Sequence, residues 1–120
     1  MVYTKSPHTE QVHKTVLTAL DVVKAENIVT IDVDELTSLF DSIIIASTHS
    51  TRQSKAGARV LQEEIKKIGG KINGIEGENL GEWVLVDLGE IVVHIMEQKT
   101  RDYYDLESLW VNKARSIISI

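Results

Sequence analysis

Cysteine is absent from the 120-residue sequence, which excludes disulfide bonds and thiolate metal sites. Long hydrophobic runs are absent too. The longest, residues 43–46, has the length of a buried strand and falls short of the ~18 residues that suggest a membrane span. The first eight residues lack the apolar stretch of a signal peptide. These absences predict a cytoplasmic protein that does not associate with membranes.

An excess of positive charge is also lacking, because the formal net charge is -5. Binding to nucleic acid by neutralising phosphates needs a basic surface, so direct reading of RNA or DNA is disfavoured. The charge is unevenly placed: basic residues concentrate in residues 52–71, and acidic residues concentrate in residues 76–107. An acidic surface can steer a basic partner towards it, although ordinary solvated surface charge is an equal alternative.

The apolar pattern predicts an α/β fold: one domain over residues 1–120, with a mixed β-sheet and flanking helices. The single proline, Pro7, follows a capping serine and predicts a helix to about residue 25. Strands are predicted at residues 28–33 and 41–48. They are antiparallel, because the link between them is too short for a helical crossover. A helix over 52–68, stopped by Gly69-Gly70, and a strand over 71–76 complete a strand–helix–strand unit.

Residues 82–97 predict a β-hairpin around the glycine-first turn Gly89-Glu90. Side chains alternate between the faces of a strand, so one hairpin face is entirely aliphatic and must be core. The other face is mixed: Trp83, Leu85, Asp87, Val92, His94 and Met96. After Arg101, residues 103–110 predict a short helix. The packing of the C-terminal tail, residues 113–120, is left open.

The mixed hairpin face, which contains Trp83 and Met96, is the best candidate site, because large aromatic side chains and methionine are enriched where proteins bind proteins. The alternative is a second core layer covered by a helix. Asp87 and His94 lie in the middle of that face, and burial of charge is costly unless the charge is paired. A half-covered face therefore fits best.

The other short motifs give weaker evidence for a functional site. Asp32-Val33-Asp34 resembles carboxylate pairs that hold two metal ions for nucleotidyl transfer, but no phosphate loop or third carboxylate accompanies it. Residues 47–51 are polar and precede a helix that carries basic residues, a combination that can bind an anion. Hydroxyl groups at this position more often cap the helix, so capping is favoured. His8 and His13 are five residues apart, which does not match the zinc spacing on a helix. No serine nucleophile elbow is present.

Two segments of the chain together form a pattern that is highly specific to one protein family. They are Glu82-Trp83-Val84-Leu85-Val86-Asp87-Leu88-Gly89-Glu90-Ile91-Val92-Val93-His94 and Tyr104-Asp105-Leu106-Glu107-Ser108-Leu109-Trp110. With residues 28–33, 41–53 and 74–77, they make the chain resemble the ribosomal silencing factor family, also called the Iojap family. The likeness covers about residues 10–112. It departs at Ser47-Thr48-His49, where many relatives have a threonine–glycine pair, and in the longer tail.

The resemblance implies a nucleotidyltransferase-like fold without enzymatic activity, cofactor or metal. It also implies binding to a protein of the large ribosomal subunit at the face that meets the small subunit. Such binding blocks subunit joining and represses translation when nutrients are short. The contact residues that it implies are Trp83 and Tyr104 first, then Leu85, Asp87, His94, Met96 and Arg101.

Two other hypotheses stay open. One is a metal-dependent nucleotidyltransferase that uses Asp32 and Asp34, which rests on fold analogy. The other is a homodimer in which the basic segment 52–71 of one copy pairs with the acidic segment 76–107 of another.

Overall fold

The computed structural model describes residues 7–111 and 116–119 of the chain. It has mixed α/β architecture, as the sequence predicts. In chain order the elements are α1 Pro7–Val22, β1 Glu26–Asp32, β2 Ser42–Thr48, α2 Thr51–Lys67, β3 Gly74–Glu76, β4 Trp83–Asp87, β5 Ile91–Glu97, α3 Gln98–Tyr104, α4 Ser108–Val111 and β6 Ser116–Ser119. In the described part of the chain, no helix combines the length and the apolar character that crossing a membrane requires.

The sheet has six strands in the order β3-β4-β5-β2-β1-β6. Strands β2 and β5 are parallel, and every other neighbouring pair is antiparallel. The predicted antiparallel pairing of β1 with β2 is confirmed. The unit β2–α2–β3 does join two parallel strands, but the hairpin of β4 and β5 lies between them in the sheet. The edge strand β6, which pairs with β1, is formed by part of the tail whose packing the sequence left open.

The predicted hairpin register is confirmed from Trp83 opposite Met96 to Asp87 opposite Val92. At the turn, the backbone N–H of Leu88 donates to the carbonyl of Ile91 at 2.9 Å. Gly89 has a φ of 90°, which a residue with a Cβ adopts only with strain. The glycine therefore fixes the turn, and the turn fixes which side chains share a face.

The aliphatic face of the hairpin is core, as predicted. It packs with β2 beneath α1 and α2, and the cluster contains Val12, Val16, Leu20, Ile44, Ala58, Leu61, Ile65, Val84, Val86, Ile91, Val93 and Ile95. On the opposite face of the sheet a smaller cluster contains Ile31, Val33, Ile43, Ile45 and Met96, with Phe40, Trp83, Leu106 and Trp110 packed against it. The second face is thus covered over part of its width.

The helix ends follow local chemistry. Helix α1 stops at Val22, three residues before the predicted end, and Lys24 just beyond it has a φ of 62°. The predicted capping serine at position 6 lies outside the described residues. Ser50 caps α2, since its hydroxyl accepts the N–H of Gln53 at 3.0 Å, which confirms the capping interpretation. Gly69, with a φ of 75°, ends α2 in the predicted left-handed conformation.

Candidate functional site

The mixed face of the hairpin is half covered, as the sequence predicts. Met96 is 0% exposed and His94 is 6% exposed, whereas Trp83, Leu85 and Asp87 are half-buried. The difference follows from strand order. Strand β5 is central in the sheet, and β4 has only the three-residue edge strand β3 beyond it. The accessible part of this face is therefore the β4 side, where Trp83 and Leu85 lie.

An aromatic cluster marks this accessible part, and we define it as Trp83, His94, Tyr103 and Tyr104. The ring centroids of Trp83 and Tyr104 are 5.1 Å apart, and those of Tyr103 and Tyr104 are 5.0 Å apart. Tyr103 is 82% exposed and Tyr104 is 57% exposed. Large exposed aromatic side chains that already contact one another form a preorganised apolar surface.

Helix α3 brings Tyr104 to this surface. It begins at Gln98, directly after β5, and ends at Tyr104 because Asp105 adopts a left-handed conformation with a φ of 47°. The single helix predicted over residues 103–110 is therefore wrong: α3 and α4 are separate, and a turn at residues 105–107 divides them. The prediction from sequence did not include Tyr103, which is exposed on this surface. The consecutive tyrosines just before the break are the pattern that marks it.

Arg101 anchors α3 from beneath. It is 6% exposed, and its Nη1 donates to the carbonyl of Asn27 at 2.6 Å and to the Ser47 hydroxyl at 2.8 Å. Its Nε donates to Oε1 of Glu107 at 2.7 Å. One guanidinium thus joins β1, β2 and the turn after α3. Three satisfied polar contacts explain how a charged side chain stays buried.

Three of the expected contact residues are buried in this conformation: His94, Met96 and Arg101. Burial favours a supporting role for these three side chains, and their role as direct contacts stays a prediction. The physical reasons differ, since Met96 fills the second core cluster and Arg101 is held by its three acceptors. The accessible expected residues are Trp83, Leu85, Asp87 and Tyr104.

His94 accepts a hydrogen bond from the Trp83 indole. The distance between Nε1 of Trp83 and Nδ1 of His94 is 2.9 Å. Burial lowers the pKa of His94 from 6.5 to about 4, so the imidazole is neutral near pH 7. An indole N–H only donates, so Nδ1 must be the unprotonated nitrogen of that neutral ring.

Two shallow depressions flank the aromatic cluster. One of about 270 Å³ is lined by Glu76, Gly77, Trp83 and Leu85. The other, of about 360 Å³, lies beside Glu82, Lys99, Tyr103 and Tyr104. Each depression combines aromatic surface with a carboxylate. Asp87 lies farther along β4, where its Oδ1 accepts the Gly89 N–H at 2.8 Å and stabilises the hairpin turn.

The acidic pair Asp32 and Asp34 is remote from the aromatic cluster. Asp32 ends β1 and pairs with Ser42 at the start of β2, while Trp83 lies at the other end of the strands. Within residues 7–111 and 116–119, no three His, Asp or Glu side chains come close enough to hold a metal ion. A cavity of about 460 Å³ lies near this end, but neither aspartate lines it. Among these described residues, the nucleotidyltransferase hypothesis has no ligand set beyond the pair itself.

Comparison with known proteins decides the family. The model of the family described as "Ribosomal silencing factor during starvation" matches residues 6–119. The chain belongs to the ribosomal silencing factor family. Within this family it is 46% identical to ribosomal silencing factor RsfS of Chromobacterium violaceum over 101 residues, which cover 84% of this chain and 83% of that protein. The sequence-based resemblance is thereby confirmed.

A solved structure supports the fold of this silencing factor. A crystal structure of a Chromobacterium violaceum protein superposes with a TM-score of 0.82 at 46% identity, covering 84% of each chain. A more distant likeness is to the mouse protein named "Mitochondrial assembly of ribosomal large subunit protein 1". It is 36% identical over 73 residues, which are 58% of this chain and 32% of that protein.

Proposed function

We propose that this silencing factor binds a protein of the large ribosomal subunit through the accessible part of the aromatic cluster, at the face that meets the small subunit. Occupation of that face blocks subunit joining and represses translation under nutrient limitation. The observation that carries the proposal is the contact between half-buried Trp83 and exposed Tyr104, whose ring centroids are 5.1 Å apart. The mouse relative's printed name supports the choice of the large subunit.

The aromatic pair has the properties of an interface centre. Tryptophan and tyrosine dominate binding energy in protein interfaces, because each buries a large area for few rotatable bonds. Here Trp83 is fixed on a strand and Tyr104 is fixed on a helix that Arg101 anchors. A partner therefore meets side chains that are already ordered, which lowers the entropy cost of binding.

Charge around the cluster favours a basic protein as the partner. Glu76 and Glu82 border the two depressions, and Asp102 and Asp105 are exposed on and after α3. Of the residues that the structure describes, Lys99 is the one cation that lines either depression. Complementary charge raises the association rate and selects among partners more than it raises affinity. Salt should therefore weaken binding mainly by slowing association.

The proposed mechanism is steric. It needs no bond to be made or broken, so we propose that the protein acts as a binding factor and not as an enzyme. Its site of action would be the cytoplasm. The subunit partner would be a ribosomal protein, because an acidic surface repels the phosphates of exposed ribosomal RNA.

Co-sedimentation with separated large and small subunits tests the proposal. We expect stoichiometric pelleting with large subunits alone. Trp83→Ala and Tyr104→Ala should each weaken binding about 30-fold, as loss of ~2 kcal/mol implies. Leu39→Ala is the matched control, because Leu39 is 79% exposed but follows β1, at the opposite end of the sheet.

Two results would contradict the proposal. If wild-type protein pellets with neither subunit, or only with small subunits, the large subunit is not its partner. Alanine variants that pellet as wild type does, with circular dichroism showing an intact fold, would place the contact face elsewhere. Repeating the assay at two salt concentrations separates the charge contribution from the aromatic one.

Self-association remains a separate proposal, and the structure describes the charges it would use. Arg52, Lys55 and Arg59 are exposed on α2, but Arg59 lies 3.7 Å from Glu63 and Lys67 lies 2.8 Å from Glu64 within the same helix. These internal pairs reduce the charge available to a second copy. Sedimentation showing only a monomer of about 13 kDa at tens of micromolar would rule out the homodimer as a functional state.

A further inference from the structure

The indole of Trp83 is held from below by a single hydrogen-bond acceptor. Trp83 lies opposite Met96 in the hairpin, and His94 lies two residues earlier on β5, on the same face. The indole therefore reaches diagonally across the strand pair to Nδ1 of His94, 2.9 Å away. The two ring centroids are 5.8 Å apart at an interplanar angle of 49°.

His94 itself has little freedom to move. It is 6% exposed, with Leu85 opposite it on β4 and Ile45 beside it on β2. A buried ring with neighbours on both adjacent strands keeps its acceptor nitrogen in a fixed position. Since the donor of an indole is also fixed relative to its ring plane, the hydrogen bond sets the orientation of the whole Trp83 side chain.

That orientation determines the surface that a partner meets. The ring centroids of Trp83 and Tyr104 are 5.1 Å apart, and the Trp83 ring also lines the depression that Gly77 and Leu85 share. A rotated indole would lose the tyrosine contact and change the shape of the depression. We infer that His94 is a positioning residue of the docking surface: its Nδ1 holds the Trp83 indole in the orientation that binds the large subunit. This inference rests on the function proposed above.

The hydrogen bond from the Trp83 indole to Nδ1 of His94, called the lock below, needs a neutral imidazole. A protonated ring has two donors and no acceptor. Burial is the cause of the lowered pKa of His94. Among the described residues, this face of the sheet carries Glu76 on β3 and Asp87 on β4, and α3 with the turn after it carries Lys99, Arg101, Asp102, Asp105 and Glu107. Arg101 is paired with Glu107, and Asp87 is engaged at the hairpin turn.

Substitution at position 94 separates positioning from simple packing. His94→Leu removes the acceptor and keeps an apolar side chain in the sheet. His94→Asn retains an oxygen that reaches about the position of Nδ1, so it should restore the bond. The exposed His49→Asn is the control, because the His49 side chain is 65% exposed.

Nuclear magnetic resonance of the Trp83 indole N–H detects the lock directly. The chain has two tryptophans, so the indole N–H signal of Trp110 serves as an internal reference for that of Trp83. In His94→Leu the Trp83 signal should move upfield and its exchange with solvent should speed at least tenfold, with the Trp110 signal unchanged. In the wild type the Trp83 signal should also shift as the pH falls through about 4, and His94→Asn should lack this transition.

Binding to isolated large subunits then tests the docking role. We expect His94→Leu to bind about tenfold more weakly than wild type and His94→Asn to recover most of that loss. A Trp83 indole signal that is unchanged in His94→Leu would overturn the lock. Equal binding by His94→Leu and the wild type would overturn the docking role. Wild-type protein that does not bind large subunits contradicts the proposed function and the docking role together, while the indole signal still decides the lock.

Discussion

Replacement of Arg101 by methionine should destabilise the fold more than any exposed charge substitution. The guanidinium donates to the carbonyl of Asn27, the hydroxyl of Ser47 and the carboxylate of Glu107, at 2.6, 2.8 and 2.7 Å. Methionine has a similar length but no donor. The substitution therefore leaves three acceptors unpaired and releases α3 from the sheet.

The magnitude follows from burial. Arg101 is 6% exposed, and the side chain of Glu107 is 28% exposed. Removing one partner of a buried, hydrogen-bonded ion pair costs ~3–5 kcal/mol, because the other groups remain desolvated. That is a large part of the ~5–15 kcal/mol that stabilises a domain. The midpoint of thermal unfolding should fall by about 10–20 °C.

Urea denaturation followed by circular dichroism measures the effect. The matched control is Arg59→Met, because Arg59 is 69% exposed and lies 3.7 Å from an exposed glutamate. Its free energy of unfolding should change by less than ~0.5 kcal/mol. If Arg101→Met unfolds at the same urea concentration as Arg59→Met, the anchoring role is refuted. Loss of subunit binding with unchanged stability would instead support Arg101 as a direct contact.

Two further stability predictions follow from the site. Gly77→Ala should destabilise by more than ~2 kcal/mol, since Gly77 has a φ of +83° and a Cβ there would lie 2.0 Å from a backbone oxygen. Gly74→Ala, with no atom within 4 Å of the added Cβ, should change stability by less than ~0.5 kcal/mol, and equal urea midpoints for both variants would contradict this. The pKa of His94 is about 4 in the folded state and 6.5 when unfolded, so the unfolded state takes up the proton first. Stability from this residue is complete above pH 6.5 and falls by about 3 kcal/mol as the pH drops to 4, at ~1.4 kcal/mol per pH unit. Between pH 6.5 and 4, the free energy of unfolding of His94→Asn should therefore fall by about 3 kcal/mol less than that of the wild type. Superimposable profiles of unfolding free energy against pH would refute this prediction.

The hairpin was predictable because its determinants are local. Gly89 fixes a two-residue turn, the turn fixes the register, and strict alternation then assigns each side chain to a face. The same logic predicted a half-covered face from two polar residues, Asp87 and His94, among apolar neighbours. Neither inference needed knowledge of the rest of the chain.

Non-local features were not predictable. The position of the hairpin between β2 and β3 depends on sheet order, which alternation does not encode. Arg101 resembles any surface arginine in sequence, and its burial depends on acceptors 54 and 74 residues away in the chain. Met96 is buried for a similar reason, since the layer that covers it comes from residues on both sides of the hairpin in sequence.

The break between α3 and α4 is an intermediate case. Residues 103–110 have enough helix-forming side chains to predict one helix, yet Asp105 adopts a left-handed conformation and ends α3. Aspartate tolerates this conformation better than most residues, which is a weak local signal. The break matters for the site, because it leaves Tyr104 at the exposed end of the helix.

We propose that the Trp83–Tyr104 surface blocks subunit joining. The most direct test preincubates large subunits with wild-type protein or with Trp83→Ala, adds small subunits, and measures the joined fraction on a sucrose gradient. We expect wild-type protein to lower the joined fraction in proportion to its occupancy of the large subunit, whereas Trp83→Ala at the same concentration should not. A joined fraction that wild-type protein leaves unchanged, or that Trp83→Ala lowers equally, would contradict the claim.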